Sequence, residues 1–381
     1  MNFRSYEIKD ICKIKSGKRL PKGTDFSEKP TKHKYIRARD IKNGKIDGSD
    51  LGYISEETQK KIERYIVNTN DIIITIAGTI GEVALVSKKF DGVNLTENAV
   101  RLTEFSKDVC PEFLAYILKS PERKEYMEQV AGGSAQPKLG IYKIEAIKVD
   151  LPDVQIQHKI ADVLSTYDNL IENNQKQIKL LEEAAQRLYK EWFVDLRFPG
   201  HENTKIVDGV PEGWSRGLLQ ELIDVNYGKD HKKAPDDGDI PVYGSGGLMR
   251  KCNKSLFSGE AVLIPRKGSL NNIMYVDETF WTVDTMFYAT MKQPHTAVFV
   301  YFFVKAFDMY SMNIGAAVPS MTTKILDAMD VVIPDKETLE KFDKRAKVYF
   351  NKIKTLQGQN ERLKIARDLL LPKLMSGEVE V

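Results

Sequence analysis

Two long stretches of the chain carry apolar residues at alternating spacings of three and four. In the first stretch the positions are Ile160, Leu164, Tyr167, Ile171, Asn174, Ile178, Leu181, Ala185, Leu188 and Trp192. In the second they are Leu339, Phe342, Ala346, Tyr349, Ile353, Leu356, Asn360, Leu363, Arg367, Leu370 and Leu374. Charged residues lie between them, which is the pattern of a coiled-coil seam. Each helix could instead pack on its own globular domain, but a strict seam of this length favours pairing of the two helices.

The chain repeats itself on both sides of these stretches. Residues 133–152 align without a gap with residues 315–334, and the offset of 182 continues through the two seams. Residues 3–18 align with residues 214–229 at an offset of 211. The outer parts of the two copies therefore agree, whereas their middles share little. We expect an internal two-fold repeat whose two copies recognise different things from equivalent positions.

The middles alternate short apolar runs with glycine-containing turns. Residues 71–86 and 260–276 each have the pattern of strand, tight loop and strand, with Gly78-Thr79 opposite Gly268-Ser269. The whole pattern predicts an α+β fold with two globular domains of twisted mixed sheets, separated by two long helices that form an antiparallel coiled coil. The predicted segments are 1–152 for the first domain, 153–198 for the first helix, 199–333 for a linker and the second domain, and 334–381 for the second helix and a C-terminal tail.

The direction of helix pairing is predicted from one asparagine in each seam. Asn174 and Asn360 are not repeat equivalents, so a parallel pairing would set each amide against an aliphatic residue and leave it poorly satisfied. One antiparallel register places Asn174 opposite Asn360. The same register pairs Ile178 with Leu356, Leu164 with Leu370, Trp192 with Phe342, and Tyr167 with Arg367, whose guanidinium could lie on the ring. The alternative is that both amides face solvent or a partner subunit.

Composition limits the class of protein. Hydrophobic residues make up 42% and charged residues 29% of the 381 residues, and the formal net charge is only +3. A nucleic-acid surface would therefore depend on local clusters of lysine and arginine. Three widely separated cysteines suggest neither a disulfide framework nor a metal site. The start has no signal-peptide pattern and the apolar runs are too short to span a bilayer. We expect a soluble cytoplasmic protein without a membrane partner.

Motifs for catalysis are mostly missing. There is no phosphate-binding G-x-x-x-x-G-K-[ST] loop, no G-x-G-x-x-G fingerprint and no Asn- or Asp-Pro-Pro-aromatic tetrapeptide of an adenine methyltransferase. The five histidines have no metal-ligand spacing. The acidic segments at 235–239 and 333–337 resemble nuclease carboxylates, but a loop turn and a helix N-cap explain them better. We expect no catalytic residue, no metal and no cofactor in this chain.

Basic residues recur on glycine-rich loops at matched places in the two copies. Lysine and arginine on such loops suit contacts to DNA phosphates and groove edges, although each alone could simply be solvated. The candidate DNA-binding residues are Lys18, Arg19, Lys22, Arg37, Arg39, Thr79, Gln136, Lys138, Lys229, His231, Lys232, Lys233, Arg250, Arg266, Lys267 and Ser269. Lys18, Lys22 and Lys233 are expected to contact phosphates, and Arg39 and Arg266 to contribute to base readout.

Taken in order, several segments resemble the DNA-specificity subunit of type I restriction-modification systems. The resemblance covers almost the whole chain. Its carriers are "SGK" and "YIRARDIKNGKI" near the start, "LYKEWFVDLRFPG" and "VPEGW" at the centre, "IPVYGSGG", "IPRKGS" and "FWTVDT" in the second copy, and "LLLPKLMSGEVEV" at the end. Each is weak alone, but their order together with two long helices is specific.

The resemblance implies that each globular domain is a target-recognition domain that reads half of a bipartite site in double-stranded DNA. It implies that the helices are a spacer and a dock for two methyltransferase subunits, and that restriction (motor and endonuclease) subunits join the complex. Catalysis, S-adenosylmethionine and ATP would belong to those partners. Two other readings remain open. A stand-alone nuclease would need a carboxylate set that the sequence lacks, and a coiled-coil scaffold would bind no DNA.

Overall fold

The computed structural model describes residues 2–132, 137–312 and 320–381. The chain divides into two compact units, and the boundaries between them fall within the long helices rather than at their ends. The first unit is Met1–Ile171 together with Arg362–Val381, and the second is Glu172–Glu361. Each unit therefore contains part of both long helices as well as its own sheets.

The first unit is built from short strands and helices around a four-stranded sheet. Its strands are β1 (Arg4–Glu7), β2 (Lys13–Ser16), β3 (His33–Ile36), β4 (Ile41–Lys42), β5 (Lys45–Ile46), β6 (Gly52–Ile54), β7 (Ile72–Thr75), β8 (Val83–Leu85), β9 (Asn94–Leu95), β10 (Ala99–Thr103) and β11 (Lys148–Leu151). Its helices are α1 (Ile8–Ile11), α2 (Glu56–Lys61), α3 (Pro111–Lys119), α4 (Pro121–Ala131), α5 (Ile141–Glu145) and the start of α6 (Val154–Tyr189). The central sheet has the order β2-β10-β7-β8, and smaller sheets are β6-β3-β9, β1-β11 and β4-β5.

Strand β7 shows why the central sheet lies in the middle of this unit. Its side chains alternate between faces, as in any strand. Ile72 and Ile74 pack into one core with α3, whereas Ile73 packs into a second core on the other face. All three are fully buried. A run of consecutive isoleucines is therefore explained by a strand that is covered on both sides.

The second unit has the same plan with longer strands. Its strands are β12 (Ile206–Val207), β13 (Val210–Pro211), β14 (Ser215–Leu218), β15 (Ile223–Tyr227), β16 (Ile240–Gly244), β17 (Gly247–Cys252), β18 (Phe257–Pro265), β19 (Met274–Thr282), β20 (Met286–Met291) and β21 (Asp330–Ile333). Its helices are α7 (Ala297–Lys305), α8 (Thr323–Asp327), most of α9 (Lys336–Ser376) and the end of α6. Strand β18 separates two cores as β7 does, with Val262 and Ile264 on one face and Leu263 on the other.

The two units share their topology through the middle as well as at the edges. The order β15-β20-β18-β19 repeats β2-β10-β7-β8, and β14-β21 repeats β1-β11. Among the described strands, each unit has one parallel pairing, and the two are equivalent: β3 runs parallel to β9, and β16 runs parallel to β19. The α+β class and the internal repeat are confirmed. The middles differ in sequence, as expected, while their strands follow the same order.

Within the second unit, the two long helices run antiparallel in the register that the asparagines predict. Asn174 donates a hydrogen bond from Nδ2 to Oδ1 of Asn360 at 3.0 Å. Further along, α6 continues as a π-helical turn over Lys190–Val194, and Trp192 in this turn lies with its ring centroid 5.9 Å from that of Phe342. Of the seam positions, Leu164, Ile171, Asn174, Ile353, Leu356 and Asn360 are buried, and Ile178, Leu181, Leu363 and Leu370 are half-buried.

The helix ends also run antiparallel within the first unit, with one difference from the expected pairs. Leu164 and Leu374 share a core against which Leu370 packs. The guanidinium of Arg367 binds the carboxylate of Asp168 at 2.5 Å instead of lying on the ring of Tyr167. Tyr116 donates a second hydrogen bond to Asp168 at 2.7 Å. A carboxylate one residue further along α6 therefore competes successfully for the arginine.

The asparagine pair yields a stability prediction. Replacing Asn174 or Asn360 alone by leucine should lower the free energy of unfolding by about 1–3 kcal/mol, because the hydrogen bond between the two buried amides is lost. Replacing both should recover most of that loss, at the expense of register specificity. Urea unfolding of the full chain measures the three variants. Asn173→Leu, on the exposed face of the same helix, is the control and should change stability by less than about 0.5 kcal/mol.

Cys12, Cys110 and Cys252 are free and buried. Burial raises the pKa of the Cys12 thiol to about 12 and that of Cys110 to about 11, so both stay protonated near neutral pH. Across residues 2–132, 137–312 and 320–381, no helix is apolar over a stretch long enough to cross a bilayer.

Candidate nucleic-acid interface

Four loop segments of the first unit are tied together by backbone hydrogen bonds. The N–H of Gly17 donates to the C=O of Ala99 at 3.0 Å, and the N–H of Lys18 donates to the C=O of Leu95 at 2.8 Å. The C=O of Asn98 accepts from the N–H of Ile76 at 2.8 Å, and the C=O of Ile76 accepts from the N–H of Leu139 at 2.9 Å. Residues 17–19, 76–79, 95–98 and 137–139 form the first loop cluster. Their positions are fixed by backbone rather than by side chains.

The second unit contains the same backbone cage, that is, the same network of backbone hydrogen bonds between its loops. The N–H groups of Gly228 and Lys229 donate to the C=O groups of Met286 and Thr282 at 3.0 and 2.9 Å. Arg266 donates to Thr285 at 2.8 Å and accepts from Met321 at 2.9 Å. An isolated bridge between Ala77 and Lys138 in the first unit has its counterpart between Lys267 and Ser320. Residues 228–230, 266–269, 282–285 and 320–321 form the second loop cluster.

One glycine in each cluster is required by the close approach of two backbone segments. A Cβ atom on Gly17 would lie 2.0 Å from the carbonyl oxygen of Thr96, and one on Gly228 would lie 2.0 Å from that of Val283. No side chain can occupy such a position unless the loops separate. The predicted match between the two glycine-lysine pairs is therefore a match of backbone geometry, and it presents Lys18 and Lys229 at equivalent places.

In the first loop cluster the predicted cations lie close together and are mostly exposed. The ammonium of Lys18 lies 5.6 Å from the ring centroid of Tyr65. Arg19 is 80% exposed and binds Glu97 at 2.7 Å. Thr79 and Lys138 are exposed neighbours, because Lys138 pairs with Ala77. Lys22 is exposed on the loop that follows. Gln136 lies outside the described residues.

Arg37 and Arg39 differ in their environments although they are two residues apart. Arg37 is only 19% exposed, makes two hydrogen bonds of 2.9 Å to Asp40, and lies over the ring of Phe26 at 5.7 Å. Arg39 is 67% exposed, and its ion pair at 3.2 Å is with the exposed carboxylate of Asp50. The structure thus places Arg37 in the framework of the unit and Arg39 on its surface.

A cavity of about 380 Å³ opens beside the first loop cluster. Its lining combines cations, aromatic rings and one carboxylate, contributed by Arg19, Leu20, Phe26, Tyr35, Arg37, Ala38, Arg39, Thr96, Glu97 and Asn98. Tyr35 donates a hydrogen bond to the C=O of Lys18 at 2.6 Å and meets Phe26 edge to face at 5.6 Å. The cavity wall is therefore held rigidly to the loop that carries Lys18.

In the second unit, a short turn presents three basic residues and an arginine supports it. His231, Lys232 and Lys233 form one turn of 3₁₀-helix after Lys229, and both lysines are exposed. Arg250 binds the C=O groups of His231 and Ala234 and the carboxylate of Asp236. Its guanidinium is thereby committed to this loop. The geometry gives Arg250 the supporting role that Arg37 has in the first unit.

The hairpin loop of the second loop cluster, residues 266–269, is held by Tyr310, a residue distant along the chain. Arg266 lies over the ring of Tyr227 at 5.5 Å, while Lys267 and Ser269 are exposed. The hydroxyl of Tyr310 donates to the C=O of Gly268 at 2.9 Å and accepts from the N–H of Leu270 at 3.2 Å. No sequence pattern singles out Tyr310, because it follows α7 and lies far from the loop along the chain.

The two acidic segments of the second unit serve structure. Asp335 accepts from the N–H of Thr338 at 2.9 Å and from the indole of Trp214 at 2.9 Å, so it caps α9 as the sequence indicates. Although burial acts to raise it, these hydrogen bonds lower the pKa of Asp335 below its ordinary value. Asp236 binds Arg250. In the part of the chain that the structure describes, no group of three or more histidines, cysteines and carboxylates is placed to hold a metal ion.

Comparison with known proteins agrees with this arrangement. The sequence model of the type I restriction modification DNA specificity domain matches residues 2–183 and 211–364, one match for each copy of the repeat. The MjaIX specificity subunit of a type I restriction enzyme from Methanocaldococcus jannaschii is 27% identical over 370 residues, covering 86% of this chain and 82% of that protein. The HindI specificity subunit from Haemophilus influenzae is 22% identical over 479 residues and covers 99% and 100%.

A solved structure has the same fold. The S subunit of a type I restriction-modification system from M. genitalium superposes with a TM-score of 0.62 at 19% sequence identity, covering 98% of this chain and 96% of that one. The family match spans most of the chain and both loop clusters. The chain therefore belongs to the family of type I restriction-modification DNA-specificity subunits.

Proposed function

We propose that this chain reads a bipartite site in double-stranded DNA, with one half read by each unit, and directs partner methyltransferase and restriction subunits to it. The observation that carries the proposal is the duplicated loop cluster. The backbone cage is the same in both units, but the side chains on it differ, as at Arg19 and its counterpart Asp230. Loops with the same backbone geometry but different side chains suit the reading of two different half-sites. The chain itself supplies recognition and no catalysis.

The charges of the clusters fit two kinds of DNA contact. Exposed lysines on loop tips, such as Lys22, Lys233 and Lys267, suit phosphates, which position a protein without reading sequence. Arg39 and Arg266 lie beside aromatic or carboxylate partners that fix their direction, which suits a base edge. Arg37 and Arg250 remain candidate DNA-binding residues by sequence, but their hydrogen bonds favour a role in holding the loops.

The long helices supply the surface proposed for methyltransferase subunits. Within the second unit, Leu180 on α6 and Val348 on α9 are 63% and 66% exposed. Large apolar side chains on the outer faces of a helix pair suit packing against helices of a partner. Restriction subunits would join through the assembled complex. S-adenosylmethionine and ATP would then be bound by these partners.

An exchange of segments tests the proposal. Replacing residues 18–132 with the equivalent segment of another family member should change one half of the recognised sequence and leave the other half as it was. Mapping methylated bases in cells that contain the chain and its methyltransferase gives the readout. The unmodified second unit is an internal control. A change in both halves at once, or no sequence preference in the unaltered complex, would count against two independent readers.

The loop cations yield a second prediction. Replacing Lys18, Lys22 or Lys233 by alanine should weaken DNA binding by the complex and reduce the slope of log affinity against log salt by about 0.9 for each phosphate that is no longer neutralised. Binding titrations at several salt concentrations measure this slope. Lys61→Ala is the matched control, because this exposed lysine on α2 lies outside the loop clusters and pairs with Glu57. An unchanged slope in all three variants would show that these loops do not touch the phosphates.

A further inference from the structure

A carboxylate lies among the cations of the first loop cluster. Glu97 lines the cavity beside Arg19 and Arg39. Its Oε1 accepts from Nε of Arg19 at 2.7 Å, and its Oε2 accepts from the hydroxyl of Thr96 at 3.0 Å. A carboxylate repels DNA phosphates, so its place in a DNA-contacting surface is unfavourable unless it meets a hydrogen-bond donor of the DNA.

The ion pair with Arg19 contributes too little to stability to explain why a carboxylate lies at position 97. Arg19 is 80% exposed, and exposed ion pairs contribute little to stability. An ionised carboxylate offers about four acceptor positions. Arg19 and Thr96 use one on each oxygen, which leaves acceptor capacity for a ligand. Both contacts also fix the carboxylate, as expected of a group that must meet a donor at a set place.

The cavity around Glu97 is preformed and has the size and character of a surface for base edges. Along its wall the guanidinium of Arg37 lies over the ring of Phe26 at 5.7 Å, and this ring meets that of Tyr35 edge to face at 5.6 Å. A Cβ atom on Gly52 would lie 2.5 Å from the ring of Phe26, so this ring rests directly on backbone. The rim carries the exposed cations Arg19 and Arg39.

In the major groove, hydrogen-bond donors are the exocyclic amino groups of cytosine (N4) and adenine (N6). Guanine and thymine present acceptors, which would face the carboxylate without a proton between them. We propose that Glu97 reads a base with an exocyclic amino group in the half-site contacted by the first unit, and that Arg19 is a positioning residue for it. This inference rests on the proposed function.

The second unit provides a natural comparison. The residue equivalent to Glu97 in the repeated cage is Asp284, which is exposed, and the residue equivalent to Arg19 is Asp230. Asp230 accepts from the N–H of Lys232 at 3.0 Å and cannot hold a carboxylate in place. The arrangement of Arg19 with Glu97 is therefore specific to the first unit. Asp284→Asn makes the same chemical change on the same backbone frame in the other unit.

The test is selection of binding sites from randomised duplex DNA by the full chain assembled with its methyltransferase subunits. Where the unaltered complex selects cytosine at one position of one half-site, Glu97→Gln should reduce that preference about tenfold or more, and where it selects adenine, Glu97→Gln should strengthen the preference, because glutamine makes a two-bond pair with adenine. A shift toward adenine at that position is also diagnostic, since glutamine pairs with adenine. The base selected by the unaltered complex shows whether cytosine or adenine is read. Asp284→Asn should leave this position unchanged, and total retention of DNA by Glu97→Gln should not fall.

Three results would overturn the inference. The first is an unchanged base preference at every position in Glu97→Gln. The second is an equal and uniform loss of binding in Glu97→Gln and Arg19→Gln, which would mean that Glu97 only anchors Arg19. The third is the absence of any selected site with the unaltered complex, which would remove the proposed function as well. Thermal unfolding of each variant separates these results from misfolding, and Glu97→Asp should retain the amino-group preference because it keeps the carboxylate.

Discussion

Replacement of Arg101 by methionine should lower the free energy of unfolding by about 3–5 kcal/mol, which is the largest of the predicted effects. Arg101 lies on β10 and binds the carboxylate of Asp71 at 2.7 Å, and the two side chains are only 8% and 5% exposed. Asp71 also accepts from the N–H of Asn68 at 2.8 Å. Without Arg101, a buried carboxylate would lose its counter-charge in the centre of the first unit.

Two companion variants show whether burial causes this effect. Asp71→Asn combined with Arg101→Met should recover much of the loss, because the neutral amide needs no counter-charge and can still accept from Asn68. Lys61→Met breaks an exposed ion pair with Glu57 and should change stability by less than about 1 kcal/mol. Urea unfolding of all three variants gives the comparison. Equal losses for Arg101→Met and Lys61→Met would contradict the argument.

Replacement of Gly17 by alanine should have the second largest effect, about 1–3 kcal/mol of stability or more, together with loss of reading of one half-site. The added Cβ would meet only backbone, at 2.0 Å from the carbonyl oxygen of Thr96 and 2.5 Å from that of Leu95. Backbone cannot rotate away as a long side chain can. The loop must therefore move, and the bond from Lys18 to Leu95 that orients the first loop cluster is broken.

A second glycine serves as the control for this substitution. Gly358 lies within α9, and a Cβ atom there would meet nothing within 4 Å. Gly358→Ala should therefore raise the free energy of unfolding by up to about 1 kcal/mol, through helix propensity alone. Thermal unfolding measures stability, and selection from randomised DNA measures readout. A Gly17→Ala protein that unfolds like the unaltered chain and selects both half-sites would show that the loops can separate freely.

Sequence periodicity was sufficient to predict the helices because that signal is local. A seam repeats every few residues, and Asn174 and Asn360 interrupt it in a way that only one antiparallel register satisfies. The position of Arg367 was not predictable at this level, because Tyr167 and Asp168 are adjacent and either could receive it. The choice depends on Tyr116, which lies on α3 and joins Asp168 only in the folded unit.

The sequence shows only part of the topology that the middles share, as at Gly78 and Gly268, because loops of unequal length change the offset between the copies. Equivalent residues differ by 211 at Gly17 and Gly228, by 190 at Ile76 and Arg266, and by 182 at Leu139 and Met321. No single alignment offset shows all of these pairs. Backbone hydrogen bonds define the cage, and they leave almost no mark on the sequence except the glycines.

The candidate site was predicted in outline only. Loop cations were identified by type, but type does not distinguish Arg39 on the surface from Arg37 bound to Asp40. Glu97 was missed because positive charge alone marks a phosphate-binding surface, whereas readout of a base needs acceptors as well as donors. The matched segments Thr96-Glu97-Asn98 and Val283-Asp284-Thr285 carried the only available signal, an acidic residue at the same place in both copies.

The division of the first unit into two distant stretches has a consequence for its synthesis. Leu374 is 1% exposed in the core that also contains Ile160 and Leu164, with Val379 and Val381 packed against it. Residues 172–361 are translated between these two parts. At about 5–20 residues per second, a ribosome needs on the order of 10–40 seconds to make them. Throughout that time the apolar surface of α6 that Leu374 will cover stays open to chaperones, although the sheets of the first unit emerge from the ribosome first.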